Sequence, residues 1–389
     1  MMPRAAVEFG PFQRRGLEAL LDDAHRGTGP RHVFATETGA PQLVPLPSLP
    51  TGQHLLSRMP VVEIPPDSHW SDAAYRSVTP WVCEFHDALV HGDAGIVCVG
   101  EQAVADTLLD TTPGQHHYAA DERGVTLLAA GPVQAVSGRC LSLLNVNPDN
   151  YYHWTIDGIG RLAAADSEII QGCQQVLVPA LRHEFQVAGF ERTGLHRTHA
   201  VRMVAADATL RVESLVVPWG MAAEHRPHPR LRDWFGALPP LAIADVRHLP
   251  RRCYIDRRAS HNRRLVNEDA VIAALAPMGF VPVRLETLRL AEEISLFRGA
   301  EIIVAPHGAG LANLVYAGPG LRLVELHMDT FVNWCFRRLA AVCQVSYDCV
   351  IGRQHSVAGA SSIHGQQWVV SATHVLGAVE QALARSTPH

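Results

Sequence analysis

The chain of 389 residues is long enough for two domains with full hydrophobic cores. Hydrophobic residues make up 47% of it and charged residues 18%, which is ordinary for a globular protein and argues against disorder. The formal net charge of −5 gives no reason to expect nucleic acid as a partner.

The residue types restrict the chemistry further. All 33 basic residues are arginine, so a phosphate must be held by guanidinium groups or backbone amides and not by a P-loop lysine. The 22 histidines and eight cysteines follow no metal-ligand spacing, and we expect neither a metal nor another cofactor. The scattered cysteines are typical of reduced core residues in a cytosolic protein.

The N-terminus has no apolar region of the signal-peptide type, and no run is as apolar as a membrane span requires. We therefore expect a cytoplasmic protein without a transmembrane segment, for which peripheral attachment to the inner membrane stays compatible. Residues 1–80 are rich in proline; a short helix is predicted over Phe12–Ala24 and an extended segment over Pro41–Pro66.

The first half of the chain reads as a twisted sheet with helices, with short strands predicted over 95–99, 125–129, 140–144, 175–179 and 214–218.

Between two of these strands, an Asn-Pro-Asp-Asn turn at 147–150 precedes a predicted helix that carries His153 and Asp157. Residues four apart share one helix face, and a carboxylate can orient an imidazole for general-base work. The same residues also fit a core wedge in which Asp157 only caps a neighbouring group.

A proline-rich linker is predicted at 236–240, and beyond it strands alternate with helices. Strands and helices at this spacing form β-α-β units and a parallel sheet, in which ligands bind beyond the carboxyl ends of the strands. The strands are predicted over 253–255, 280–285, 302–305, 322–326 and 345–349, and the helices over 267–279, 290–297, 311–316, 331–342 and from 372 onward.

The buried run that ends at Ala305 leads into a Pro/Gly turn and the first turn of a helix. Glycines let the backbone approach a ligand closely, and free N–H groups at a helix start favour an anion, most often a phosphate. The residues of this turn are His307, Gly308, Ala309, Gly310 and, one helical turn further, Asn313. His307 either donates to a phosphate oxygen or packs the turn, and the glycines could merely form a tight turn.

Two more groups fall at predicted strand ends. The loop 256–264 carries four arginines, including Arg257 and Arg263. Glu325 directly follows the buried run 322–324. Arginines neutralise phosphate and a carboxylate accepts hydrogen bonds from ribose, so together these groups predict a site for a nucleotide diphosphate. Separately, the arginine loop could be a solvated charge run, and Glu325 a buried partner of an arginine.

The segments Tyr254–Glu268, Pro306–Leu314 and Leu323–Leu326 resemble the family 61 glycosyltransferases, and Asn150–Asp157 is similar to the Asn-x-x-His-Trp-x-x-Asp segment of that family. The resemblance covers roughly residues 140–350 and implies an α/β fold of GT-B type, with two Rossmann-like domains facing a cleft.

The resemblance and the predicted linker together divide the chain into an acceptor domain (91–236) and a nucleotide-sugar-binding domain (241–372), preceded by a proline-rich arm (1–90) outside the resemblance and followed by a C-terminal helix (373–389).

The resemblance also implies an inverting, metal-independent transfer of a sugar from a nucleotide-diphosphate donor, most often a UDP-sugar, to a glycan or lipid-linked acceptor in bacterial surface polysaccharide biosynthesis. Arg257, Arg263 and the Gly308–Gly310 turn would bind the diphosphate and Glu325 the ribose. Where the family usually has a serine, this chain has Asp256.

Inversion needs a base on the acceptor side, and Asp157 or His153 is the candidate.

A homo-oligomer is compatible with the sequence.

Two other functions fit parts of the sequence. An α/β-hydrolase could use the His-Gly-Ala-Gly turn as an oxyanion loop, but its Gly-x-Ser-x-Gly elbow is absent. A non-catalytic nucleotide-sugar-binding protein or partner subunit remains as the alternative.

Overall fold

The computed structural model describes residues 7–26, 33–47, 49, 72–108, 117–222, 225–241, 249–260, 262–355 and 365–385. The chain divides into two compact units. Unit 1 comprises Met1–Pro41 and Val78–Ala223, and unit 2 comprises Gln42–Ser77 and Glu224–His389. Among the described helices, none is long and apolar enough to cross a membrane.

The N-terminal region contributes regular elements to each unit. They are β1 (Val7–Arg15), α1 (Leu17–His25), β2 (Val33–Glu37), β3 (Leu43–Pro45) and β4 (Ala74–Arg76). The helix predicted over Phe12–Ala24 is therefore wrong for its first residues, because Phe12 lies in a strand and buries its ring in the core of unit 1. Most of the segment predicted to be extended, Pro41–Pro66, lies outside the described residues.

The elements of the first half then follow in chain order. They are β5 (Trp81–His91), β6 (Ile96–Val99), β7 (Gln102–Val104), β8 (Tyr118–Asp121), β9 (Gly124–Ala129), β10 (Gln134–Ser142), α2 (Ser167–Gln171), β11 (Gln175–Pro179), α3 (Glu184–Thr193), α4 (Leu195–Thr198), β12 (Ala200–Val204) and β13 (Thr209–Trp219). A π-helix (His153–Gly158) and a 3₁₀-helix (Ile159–Ala164) lie between β10 and α2.

In the described part of unit 1, eleven strands form one mixed sheet in the order β12-β11-β10-β13-β5-β6-β7-β1-β9-β8, and β2 pairs with β5. The five strands predicted for this half are confirmed. The neighbouring pairs among β10, β11, β12 and β13 are parallel, whereas the pairs of β5 with β13 and β6 are antiparallel. Unit 1 is thus mixed rather than a purely parallel Rossmann sheet.

The second half continues with further strands and helices. They are α5 (Arg230–Ala237), β14 (Arg252–Ile255), β15 (Arg264–Leu265), α6 (Glu268–Leu275), β16 (Val281–Val283), α7 (Leu290–Gly299), β17 (Ile302–Pro306), β18 (Arg322–Met328), α8 (Cys335–Val342), β19 (Ser346–His355), β20 (Gln367–Val369) and α9 (Ala372–Ala384). Three 3₁₀-helices, Ala276–Met278, Leu285–Thr287 and Ala309–Tyr316, complete it.

The described strands of unit 2 form a sheet in the order β15-β20-β19-β18-β17-β14-β16. Five neighbouring strands, β19 to β16, are parallel, as predicted. Counted along the chain, these five have the order 2-1-3-4-5 of doubly wound sheets, whose order reverses between the first and third strands, here β14 and β17. Ligands bind such sheets where the carboxyl ends of those two strands diverge.

The residues of β17 explain why it lies at the centre of this sheet. All five of its residues, from Ile302 to Pro306, are buried, which requires cover on both faces. Beyond these five strands, β20 runs antiparallel to β19, so the prediction of a wholly parallel sheet is wrong at this edge. No strand was predicted over the residues of β20.

Several predicted elements differ in detail. Asn267 stands at the start of α6, but its side chain donates to the Val370 carbonyl (2.7 Å) and accepts from the Val370 amide (3.1 Å) instead of capping the helix. The helix predicted from Phe331 begins at Cys335, and α5 packs in unit 2, where Phe235 meets Tyr316 edge-on.

Unit 2 also holds the β3–β4 hairpin of the N-terminal region. The buried guanidinium of Arg337, on α8, donates to the carbonyls of Pro47 (2.9 Å) and Asp72 (3.1 Å). Pro47 lies just after β3 and Asp72 just before β4. Part of the predicted N-terminal arm is therefore fastened to unit 2.

Candidate functional site

Arg257 lies just beyond the carboxyl end of β14, at the point where the strand order of unit 2 reverses. Its guanidinium donates to the carbonyl of His307, which follows β17, and to the hydroxyl of Ser260 (3.2 Å). Burial lowers the pKa of Arg257 from its ordinary value, but an arginine stays charged under such a shift. A half-buried positive charge therefore bridges the ends of β14 and β17.

Gly308 is the residue that allows this bridge. A Cβ atom at position 308 would lie 2.8 Å from Nη1 and 2.9 Å from Cζ of Arg257, closer than packed atoms allow. The backbone of Gly308 is extended, so the need for glycine here is one of space and not of an unusual φ angle. The guanidinium and the turn are thus in direct contact.

The turn leads into the 3₁₀-helix Ala309–Tyr316. Its first intrahelical bond runs from the amide of Leu311 to the carbonyl of Gly308, so the amides of Ala309 and Gly310 precede it. A Cβ atom at Gly310 would lie 2.5 Å from a methyl group of Leu285, which explains the second glycine by close packing. The predicted glycine turn and helix start are therefore formed, although the helix is 3₁₀ and begins at Ala309; anion binding at this turn stays a prediction.

Arg263 belongs to the same group of charges. Its guanidinium lies 4.4 Å from the ring centre of Phe331, and the ring of His307 meets Phe331 edge-on at 5.5 Å. Burial, with the nearby charge of Arg257 as a second cause, lowers the pKa of Arg263 to about 10. Arg257, Arg263 and His307 thus converge at one edge of the sheet.

Glu325 lies on the neighbouring strand β18 and is fully buried. Its Oε1 atom accepts from Nδ1 of His307 (2.6 Å), and its Oε2 atom accepts from the hydroxyl of Tyr347 (2.7 Å). Nε2 of His327 lies 3.3 Å from Oε2. Because both oxygens are bonded and inaccessible, the predicted contact between Glu325 and a ribose is not possible in this arrangement.

The carboxylate remains charged despite its burial. Burial alone would raise the pKa of Glu325, but the interaction with His327 and the hydrogen bonds from His307 and His327 outweigh it and lower the pKa to about 2. Burial likewise lowers the pKa of His307, against the opposing effect of Glu325. Both lowered pKa values are explained by an ionised Glu325 that accepts a hydrogen bond from the Nδ1 proton of a neutral His307.

His307, Glu325 and His327 also resemble a metal-ligand set, since their ligand atoms lie within 4.8 Å of one another. Two ligands of a tetrahedral zinc ion, each about 2.05 Å from it, stand about 3.3 Å apart. The 2.6 Å between His307 Nδ1 and Glu325 Oε1 is instead the length of a charge-assisted hydrogen bond. The geometry favours a hydrogen-bonded network.

Asn313 was predicted to face the ligand, but it is fully buried. Its side-chain amide donates to Glu293 Oε2 (2.6 Å) and to the carbonyl of Gly310 (3.0 Å). It therefore fixes the turn to α7, and its effect on a ligand is indirect.

Glu268 supports the site, a role that was not predicted. Its carboxylate is buried and accepts from the backbone amide of Arg257 (2.8 Å) and the hydroxyl of Tyr254 (3.2 Å). Asp256 is paired with Arg258 (2.7 Å), which also reaches Asp269 (2.6 Å). Arg258 is thus committed to carboxylates, whereas Arg257 faces the turn.

In unit 1, His153 and Asp157 meet as predicted. Nδ1 of His153 lies 2.8 Å from Oδ2 of Asp157, and about a third of each side chain is exposed, 28% and 33% respectively. They are joined across a π-helical turn, a feature that occurs frequently at functional sites. Arg161 donates to the carbonyls of Asp157 (2.7 Å) and Leu144 (2.8 Å) and so anchors the turn to the end of β10.

The comparison with known families bears on both groups of residues. The model of the family named Glycosyltransferase 61 matches residues 151–324. This region of the chain thus matches the family 61 glycosyltransferases. The resemblance inferred from the motifs is thereby confirmed, and the non-catalytic alternative is set aside. None of the curated proteins compared with the chain matches it.

The matched region of the glycosyltransferase begins two residues before His153 and ends one residue before Glu325. It therefore includes the His153–Asp157 pair, Arg257, Arg263 and the glycine turn. Family 61 is an EC 2.4 transferase family, so the reaction transfers a sugar from a donor to an acceptor.

Replacement of Glu325 by glutamine should destabilise the glycosyltransferase in a pH-dependent way. A carboxyl whose pKa is lowered on folding stabilises the protein above its unfolded pKa, near 4.5, and this contribution is lost as the pH falls toward 2. We expect Glu325→Gln to cost about 3 kcal/mol at pH 7, and the difference from the unaltered protein to shrink between pH 5 and pH 3.

Urea denaturation at several pH values measures this difference. Glu301→Gln is the matched control, because Glu301 pairs with Arg252 (3.2 Å) while partly exposed, and it should cost less than about 1 kcal/mol. A difference for Glu325→Gln that is constant from pH 7 to pH 3 would contradict the ionised state assigned to Glu325.

Proposed function

We propose that the glycosyltransferase uses a nucleoside-diphosphate sugar, with the diphosphate at the Gly308–Gly310 turn. The observation that carries this proposal is the contact between the Arg257 guanidinium and Gly308 at the reversal point of the parallel sheet. Phosphate is the natural ligand of a guanidinium beside free backbone amides. Arg263 adds a second positive charge, and the chain has no lysine that could replace it.

The product of the transfer explains why such a site suits the leaving group. When the bond between the anomeric carbon and the diphosphate breaks, its electron pair stays with the nucleoside diphosphate. Two guanidinium groups and oriented amides stabilise this added charge without rearrangement. Because arginine can supply this stabilisation, we propose a metal-independent reaction, which the hydrogen-bond length between His307 and Glu325 also favours.

On the acceptor side, we propose Asp157, with His153, as the general base. An inverting transfer needs one group that takes the proton of the acceptor hydroxyl as the oxygen attacks the anomeric carbon. The pair is hydrogen-bonded and partly exposed, so a substrate can reach it. Asp157 either accepts the proton itself or orients His153 to do so.

These roles correspond to a GT-B division of labour, with donor binding in unit 2 and acceptor binding in unit 1. We propose a glycan or lipid-linked acceptor and a cytoplasmic enzyme of surface polysaccharide biosynthesis, peripheral to the inner membrane. The family match supports the acceptor class and the pathway, and the scattered cysteines, typical of a reducing compartment, support the location.

Asp157→Asn tests the base. The variant should bind the sugar nucleotide within about twofold of the unaltered enzyme, whereas transfer should slow by about 10²- to 10⁴-fold because the proton acceptor is lost. Binding is measured by calorimetry and transfer by release of nucleoside diphosphate. Asp87→Asn, at an exposed pair with Arg211, is the control and should transfer normally. Normal transfer by both Asp157→Asn and His153→Ala would rule out this base.

Gly308→Ala tests the donor site. The added methyl group must displace the Arg257 guanidinium, so we expect the affinity for the sugar nucleotide to fall about tenfold or more. Gly299→Ala, at a position with no atom within 4 Å of the added carbon, is the control and should bind normally. If Gly308→Ala keeps full affinity while its melting temperature is unchanged, the diphosphate does not bind at this turn.

A further inference from the structure

The network beneath His307 has a role that ligand contact alone does not explain. Glu325 is enclosed by His307, Tyr347 and His327, and both of its oxygens accept hydrogen bonds within unit 2. A charged group in such a place is costly unless its partners satisfy it with hydrogen bonds and favourable charge. Of its partners, His307 is the one that belongs to the proposed phosphate-binding turn.

The network fixes the orientation and the tautomer of His307. Glu325 can only accept a hydrogen bond, so Nδ1 of His307 carries the proton. The ring is held by Phe336 (5.1 Å between ring centres), His327 (5.4 Å) and Phe331 (5.5 Å), and 11% of the side chain is exposed. Nε2 is therefore the ring atom that is left to bond with a ligand.

In the neutral imidazole this Nε2 atom is an acceptor, which repels a phosphate oxygen. Three groups oppose a positive charge on His307. Arg257 donates to the carbonyl of His307, Arg263 lies against the Phe331 ring that His307 also contacts, and the imidazole of His327 lies beside the His307 ring. The Tyr347 hydroxyl is neutral, and Glu325 is the negative charge in contact with the ring. Burial lowers the pKa of His307, so the ring is neutral before a ligand arrives.

We propose that His307 takes up a proton when the donor diphosphate binds, and that Glu325 and Tyr347 are the positioning residues that permit it. The imidazolium then donates from Nε2 to the diphosphate while Nδ1 keeps its bond to Glu325. This inference rests on the proposed donor site. It assigns Glu325 an indirect role through His307 in place of a direct contact with ribose.

The proton balance of the transfer is unchanged by this step. The proton of the acceptor hydroxyl goes to the base, the bond between the anomeric carbon and the diphosphate oxygen breaks, and the electron pair leaves with the nucleoside diphosphate. His307 keeps its proton as a hydrogen-bond donor until the product departs. The network thus matches the charge of His307 to the charge of the bound donor.

Calorimetry in buffers of different ionisation enthalpy measures the number of protons taken up on binding. The probe is whichever of UDP-glucose, UDP-xylose, GDP-mannose and dTDP-rhamnose gives the largest thermal shift. An intact sugar nucleotide is used because its diphosphate does not titrate near neutral pH. At pH 8 we expect uptake that approaches about one proton per site in the unaltered enzyme, since a free histidine is neutral there.

Four variants identify the group that takes up the proton. His307→Gln should abolish the uptake, Glu325→Gln should reduce it to less than about half, and Tyr347→Phe should reduce it to a smaller extent. Tyr347→Phe keeps the test valid if Glu325→Gln does not fold. His86→Gln, a histidine 3.8 Å from Glu84 in unit 1, is the matched control and should leave the uptake unchanged.

Each outcome decides between the two proposals. Binding without proton uptake, or uptake that survives His307→Gln, would overturn the role of His307 while the donor site stands. Uptake unaffected by Glu325→Gln and Tyr347→Phe would overturn the role of the network. If none of the four sugar nucleotides binds, the proposed donor site fails, and this inference fails with it.

Discussion

The functional architecture of unit 2 depends on one close approach, the packing of the Arg257 guanidinium against Gly308. The strand order of the parallel sheet brings the ends of β14 and β17 side by side, and the absence of a side chain at position 308 lets the guanidinium reach the carbonyl of His307. The Glu268 carboxylate accepts a hydrogen bond from the backbone amide of Arg257 and so fixes this position. A positive charge is thus built into the sheet at the place where doubly wound sheets bind ligands.

Around this contact, charged groups are organised in two layers, half-buried arginines and buried carboxylates. Arg257 and Arg263 surround the turn, whereas the carboxylates of Glu268 and Glu325 lie beneath it, each satisfied by hydrogen bonds. Carboxylates in direct contact with a diphosphate would repel it; carboxylates that support its ligands instead fix their geometry. In the proposed donor site of this chain, positioned arginines and one histidine take the place of lysine.

The sequence predicted most of the strands and the residues that gather at the end of the sheet, because buried strands and glycine turns leave strong local patterns. It did not predict which of these residues are accessible. Glu325 and Asn313 look like ligand residues in sequence, but their partners Tyr347 and Glu293 come from distant segments, and only the tertiary contacts reveal that they are buried. The strands β20 and β1 depend in the same way on distant segments, since β20 pairs with β15 and β1 pairs with β9.

The most direct measurement of the central claim is a crystal structure of the enzyme with UDP. We expect the diphosphate within hydrogen-bonding distance of the Arg257 guanidinium, the amides of Ala309 and Gly310, and Nε2 of His307, with Glu325 still bonded to His307 and not to the ribose. A diphosphate bound elsewhere, or a ribose hydroxyl bonded to Glu325, would contradict the account.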